Sequence, residues 1–177
     1  MSGSLPAIVI PLQLAEKGAR LRGRLPLKAM RRLAAMCRDD TERVAVDLRF
    51  ERGAARDLYE MTGNLSACVR VRCQRCLEEM ELELRAEPRL VLLRAGEDPA
   101  AFSPEMETLI ADQPVALSDL VEDELLLALP MFTAHAAGAC PGAGRAVGVP
   151  RADTARDGVR TRPKPFAVLD GLKRGDK

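Results

Sequence analysis

The sequence has no Trp, one Tyr and four Phe, 3% aromatic in all, which argues against base stacking on aromatic rings as a binding mode. It has a single His, no glycine-rich phosphate loop and no nucleophile elbow, so nothing in it suggests an enzyme or a small-molecule substrate. Long apolar runs are missing too. The run Leu125 to Leu129 stops at Pro130, far short of the ~20 residues that span a bilayer, so no membrane partner is expected. The start, Met1-Ser2-Gly3-Ser4, has neither a charged n-region nor an h-region, and Gly is not at position 2. Neither export nor myristoylation is signalled. Cysteine is sparse and odd in number, five in all. In a chain with no export signal this points to a reducing cytoplasm with free or metal-bound thiols rather than a disulfide framework.

What is present is a chain of 177 residues, 47% hydrophobic and 30% charged. That length buries roughly 70% of the surface of the unfolded chain in one domain. The net charge of +1 conceals a segregation. Residues 20–75 carry 14 Lys and Arg against 7 Asp and Glu; residues 76–130 carry 3 against 14; residues 131–177 carry 9 against 4. Such asymmetry points to partners of opposite sign, nucleic acid on one side and a basic protein on the other. The competing reading is that folding mixes the segments on one surface and the fields cancel.

The pattern of side chains predicts an α+β fold: an antiparallel β-sheet with a CxxC hairpin, packed by two or three helices, plus a flexible C-terminal tail. Ala7 to Leu14 reads as a strand rich in β-branched residues, and Leu21 to Leu25 as a second short one. Pro26 opens a helix to about Arg38, with Leu27, Met30, Leu33, Ala34 and Cys37 on one face. Three strands then alternate with period two, through Val44 to Phe50, Leu65 to Cys73, and Met80 to Ala86. A last helix begins near Ser118, which is placed to cap it, and ends before Pro130. Leu120, Val121, Leu125, Ala128 and Leu129 should face its core. The organisation expected is a single domain over residues 1–135, a flexible Gly/Ala/Arg-rich segment over 136–163, and a short docking segment over 164–177 that contains Phe166.

Chemistry concentrates in the cysteines. Cys73-Gln74-Arg75-Cys76 lies at a hairpin tip, and the lone His135 is followed by Cys140. CxxC with H-x4-C supplies four ligands able to surround zinc tetrahedrally, and four ligands leave no open position for a water, so the ion would be structural. Two alternatives stand beside it, reduced structural thiols and thiol-redox catalysis. The second requires a helix after the CxxC, where a strand is expected. Cys37 and Cys68 have no partners at metal spacing and read as small buried or half-buried side chains. Three consecutive helix positions, Glu122, Asp123 and Glu124, point about 100° apart and do not converge on one ion. They read as a solvated face or a landing site for a basic protein.

Three blocks in order resemble the bacterial YceD family of large ribosomal RNA subunit accumulation proteins. They are the CxxC with the acidic–apolar alternation after it, Leu117 to Pro130 (LSDLVEDELLLALP), and Pro165-Phe166-Ala167-Val168-Leu169 with Leu172-Lys173-Arg174. His135 and Cys140 also fall where that family often carries a His and a Cys. Lys164 departs from the family, which commonly has Asn there. The resemblance implies a non-enzymatic cytoplasmic factor needed for 23S ribosomal RNA accumulation and large-subunit assembly, with 23S rRNA or its precursor as partner. For direct RNA contact the basic candidates are Lys28, Arg31 and Arg32 on the helix, Arg70, Arg72 and Arg75 on the hairpin, and Arg160, Arg162 and Lys164 in the tail. Arg70 and Arg72 also face strand neighbours Glu79, Glu81 and Glu83, and that structural role competes with RNA contact. The alternative function is an adaptor whose acidic region, with Glu122, Asp123, Glu124 and Phe166, recruits a basic ribosomal protein or a processing nuclease.

Overall fold

Alternation of apolar and charged residues dictates the sheet. A computed structural model of the protein describes residues 5–39, 41–53, 58–102, 106–136 and 139–141. The chain divides into two units, Met1–Gly144 and Arg145–Lys177, and every described residue belongs to the first, which runs past residue 135 and takes in Cys140. Strands β2 (Arg20–Pro26), β3 (Arg43–Arg52) and β4 (Tyr59–Arg72) pair antiparallel in that order. Beyond β4 the sheet forks: β5 (Glu79–Ala86) pairs with residues 65–72 of β4, and β6 (Arg89–Leu93) with residues 59–62. Strand β7 (Glu107–Ile110) adds parallel to β6. The α+β sheet with a CxxC hairpin between β4 and β5 is therefore as the alternation predicts.

At the fork, Gly63 donates its N–H to the Pro88 carbonyl, 3.2 Å away. A Cβ at Gly63 would stand 2.3 Å from the carbonyl oxygen of Asp47. Only glycine lets β3 and β4 approach there.

Strand β6 was not read from the sequence. Its run Leu90 to Leu93 is buried throughout, so both faces of the strand are covered and its period-two signal is lost. The expected strand over residues 7–14 is also corrected. Only β1 (Ile8–Val9) is extended, paired with β8 (Val115–Ala116) in a small two-stranded sheet. Pro11 then opens helix α1 (Pro11–Glu16) at its first position, where a fixed φ and a missing N–H suit a helix start. Leu12 and Ala15 bury its inner side.

The helix expected from Pro26 to Arg38 is broken. Leu27–Ala29 forms one 3-10 turn, Met30 leaves helical geometry, and α2 spans only Arg31–Met36. Its core residues Leu27, Met30 and Leu33 are nevertheless fully buried. No local side chain caps α2. The cap comes from α3 (Leu117–Ala128). The Glu122 carboxylate accepts hydrogen bonds from the backbone N–H of Arg32 (2.6 Å) and of Leu33 (3.0 Å), and pairs with the Arg32 guanidinium at 2.8 Å. Glu122 is only 3% exposed. It does not lie on a solvated face, and the expectation for the acidic group is corrected at this position: two orphan amides at a helix start draw the carboxylate inward.

Helix α3 starts at Leu117, one residue before expectation, and Ser118 does not cap it. Ala116 holds the cap position, while the Ser118 hydroxyl turns to Asp119. The helix ends before Pro130, as that residue requires. Leu120, Val121 and Leu125 are buried, and Ala128 and Leu129 are half-buried. The inner sheet face packs Val44, Val46, Leu48 and Phe50 of β3 with Met61, Leu65 and Val69 of β4. The opposite face is polar.

Replacing Glu122 by Ala strips both amides of their acceptor inside the core and is expected to cost about 2–4 kcal/mol. Glu122→Gln keeps an acceptor oxygen and should cost distinctly less. Urea midpoints at unchanged slope read the difference; a free Glu122→Ala substitution would remove the capping role.

Candidate metal centre

The hairpin tip is a knuckle built by the backbone. The Cys73 N–H donates to the Glu78 carbonyl (2.8 Å) and the Leu77 N–H to the Cys73 carbonyl (2.9 Å). Leu77 takes a left-handed φ of 67°, a conformation that costs a non-glycine residue about 1–2 kcal/mol. The Arg72 Nε donates to the Leu77 carbonyl at 2.9 Å, which holds the turn from outside.

The other half of the site arrives from α3. After Pro130 the chain crosses to the knuckle and is fastened twice at Thr133. Its carbonyl accepts from the Gln74 N–H (2.8 Å), and its hydroxyl donates to the Arg72 carbonyl (3.1 Å). Sequence reasoning missed Thr133, since nothing in its neighbourhood marks it. These two bonds deliver His135, and the Ala139 N–H, which donates to the Ala136 carbonyl (3.0 Å), leads to Cys140.

Cys73, Cys76, His135 and Cys140 thus converge. Their ligand atoms all lie within 4.8 Å of one another. The Cys73 and Cys140 sulfurs stand 4.0 Å apart, and the Cys76 sulfur is 3.5 Å from His135 Nδ1. Sulfurs bound to one tetrahedral zinc at about 2.3 Å would be roughly 4 Å apart, so the donor set and its span fit such an ion. Cys73 and Cys140 are buried, and Cys76 and His135 half-buried.

The electrostatics suit a cation. Burial pushes the Cys73 thiol up, but backbone N–H groups of Cys76, His135 and Arg75 outweigh it and bring the thiol down to about 5. The Cys140 thiol is also lowered, first by its hydrogen bond with Cys76 and, against the opposing effect of burial, by Arg75 and His135. Burial raises Cys76. A hydrogen bond to Cys73 raises His135. The cluster therefore favours negative charge on its buried sulfurs and sets the Arg75 guanidinium beside it. Arg75 is raised first by its hydrogen bond to Cys140, and its Nη2 also reaches the His135 carbonyl at 3.5 Å. The depressed thiol of the CxxC pair is the buried one, an arrangement that opposes attack on a substrate from solvent. The two remaining cysteines lie apart: Cys37 is half-buried with its thiol on the Leu33 carbonyl (3.2 Å), and Cys68 is exposed on the polar sheet face.

The other candidate residues are placed as follows. Lys28, in the 3-10 turn, and Arg31, at the start of α2, are exposed. Arg32 is tied to Glu122 and, at 2.7 Å, to Asp123. Arg70 stands opposite Glu81 in the sheet and pairs with Asp39, and Arg72 stands opposite Glu79. Asp123 is exposed and Glu124 half-buried, with burial raising the Glu124 carboxyl. Arg160, Arg162, Lys164 and Phe166 lie outside the described residues. Among the described residues, no helix is long and apolar enough to cross a membrane.

Comparison with known proteins agrees with the three blocks. Residues 61–173 match the family described as large ribosomal RNA subunit accumulation protein YceD. A protein of Haemophilus influenzae with that same description is 30% identical over 175 residues, covering 96% of each chain. No solved structure matches. With its CxxC hairpin, its α3 block and its terminal block all inside one alignment, the chain belongs to the YceD family.

Proposed function

We propose that this protein is a non-enzymatic cytoplasmic factor required for 23S ribosomal RNA accumulation and large-subunit assembly, acting by binding RNA or a ribosome precursor. The observation that carries this is the family relationship over nearly the whole chain, since that family is named for large ribosomal RNA subunit accumulation. The cluster supports a scaffold and not a reaction centre: four ligands fill a tetrahedral shell. Soft thiolates with one imidazole select zinc over magnesium or calcium. The zinc, held by Cys73, Cys76, His135 and Cys140, fastens the hairpin to the segment that leaves α3.

A second reading has its own support. Among the described residues strand β5 pairs only with β4, and it carries Glu79, Glu81 and Glu83 on its exposed side, a surface on which a basic ribosomal protein or a nuclease would act as partner. Crosslinking in cells, with sequencing of bound RNA and identification of bound protein, separates the two. Large-subunit RNA recovered at defined positions supports the first, while protein partners that survive nuclease treatment without RNA crosslinks support the second.

Two outcomes are expected for the metal. Purified protein should carry one zinc per chain, lost in Cys73→Ser and in Cys140→Ser. Burial holds the Cys76 thiol above its ordinary range, so an incoming ion must displace its proton, whereas Cys73 at about 5 has already lost its own at neutral pH. Affinity should therefore rise with pH between about 6 and 8, tenfold per unit for each proton displaced, as read by chelator competition. In cells lacking the protein, a Cys73→Ser, Cys76→Ser double variant should fail to restore the ratio of 23S to 16S RNA; full restoration would make the cluster dispensable.

A further inference from the structure

The polar face of the sheet separates charge in a way the linear sequence conceals. In antiparallel pairs, residues directly opposite each other project to the same side. The register pairs Leu21 with Leu48, Gly23 with Val46 and Leu25 with Val44, all toward the core. The same register puts Arg20 opposite Arg49, Arg22 opposite Asp47, Arg24 opposite Ala45 and Pro26 opposite Arg43 on the outer side. Five arginines thus share one surface of β2 and β3, all exposed, against the two acids of β3 on that side, Asp47 and Glu51.

We propose that this outer surface of β2 and β3, through Arg20, Arg22, Arg24, Arg43 and Arg49, binds the phosphate backbone of RNA. The inference rests on the RNA-binding reading above and moves the contact away from the hairpin. Four features carry it. First, Arg20, Arg22 and Arg24 follow each other at every second residue of a strand, about 7 Å apart, a spacing comparable to that of successive phosphates in an extended strand. Second, the arginines are available. The side chains of Arg24 and Arg43 have no hydrogen bond or ion pair among the described residues, Arg49 has only a longer-range attraction to Asp47, and Asp47 is left to serve Arg20 (2.6 Å) and Arg22 (3.8 Å). The hairpin arginines are by contrast engaged: Arg70 with Asp39, Arg72 with the Leu77 carbonyl, Arg75 with the metal cluster.

Third, the acidic strand does not cancel the field. β5 lies three strand spacings from β2 and two from β3, about 14 Å and about 10 Å, beyond the screening length of about 8 Å at physiological salt. Fourth, the surface admits a chain. Next to Arg24 and Arg43 the face hollows into an open trough of about 750 Å³ floored by Ala45, Ser66 and Cys68, with Glu42 beside Arg43 and with Glu81 and Glu83 on its far wall. Small side chains let a sugar–phosphate backbone approach, and the far acids keep it on the basic half. With no aromatic side chain on this surface, recognition would follow charge and shape and not base identity.

The test uses the purified full-length protein and a fluorescently labelled single-stranded RNA of about 20 nucleotides, read by anisotropy across salt concentrations. Arg24→Gln, Arg43→Gln and Arg49→Gln together should weaken binding about tenfold or more. The log–log salt slope should fall by about 2, at roughly 0.7 per lost phosphate contact. Arg70→Gln should stay within about twofold of the parent. Circular dichroism of each variant checks the fold, and Arg22→Gln with Arg24→Gln is a second, milder neutralisation at the sheet edge, expected to weaken binding about threefold or more and to lower the slope by about 1. If the parent binds RNA and the folded β2–β3 variants bind as tightly with the same slope, the site is wrong and RNA binding stands. If the parent binds no RNA even at low salt, both fall.

Discussion

Convergence of Cys73 and Cys76 with His135 and Cys140 is the constraint on which the hairpin end of this fold depends. The two pairs are some 60 residues apart in sequence, and closing a loop of that length carries an entropic cost that grows with the logarithm of its length. The hydrogen bonds that Thr133 makes to Gln74 and Arg72 offset part of it. The charge on the sulfurs would repel without a counter-charge. Arg75 supplies some of that, and a divalent ion would supply the rest. The knuckle also holds Leu77 in a left-handed conformation, which persists because the surrounding bonds fix it.

A second constraint is the one-sidedness of the sheet. Helices cover the apolar face, and the polar face is left to charge. The blocks of positive and negative residues along the chain become separate strands, β2 and β3 on one side and β5 on the other. Between them the middle of β4 carries Thr62, Asn64, Ser66 and Cys68, which are neutral, with Glu60 at one end of the strand and Arg70 and Arg72 at the other. The distance across this neutral band, and not the net charge of +1, determines what a polyelectrolyte would meet.

Much of this was legible beforehand, for physical reasons. Strands half-exposed to water advertise themselves by alternation, so β3, β4 and β5 could be read directly, as could the four ligands, whose residue types have few other uses at that spacing. What could not be read depends on neighbours distant in sequence. β6 lost its alternation because both its faces are covered. Pro11 turned an apolar β-branched run into a helix start. Glu122 looked like part of a solvated acidic face because the amides it caps belong to a helix about 90 residues earlier. The arginine surface was invisible until the pairing of β2 with β3 put Arg43 and Arg49 on the same side as Arg20, Arg22 and Arg24.

The Glu122 cap has one more consequence. The amides of Arg32 and Leu33 sit in the first turn of α2, where no carbonyl of their own helix can accept from them. Their protection from exchange with solvent deuterium is thus governed by the seating of α3 rather than by the fraying of α2. Since α3 leads directly into the segment that carries His135, the isotope uptake of these two amides registers, from a separate helix, how firmly the far end of the fold is anchored.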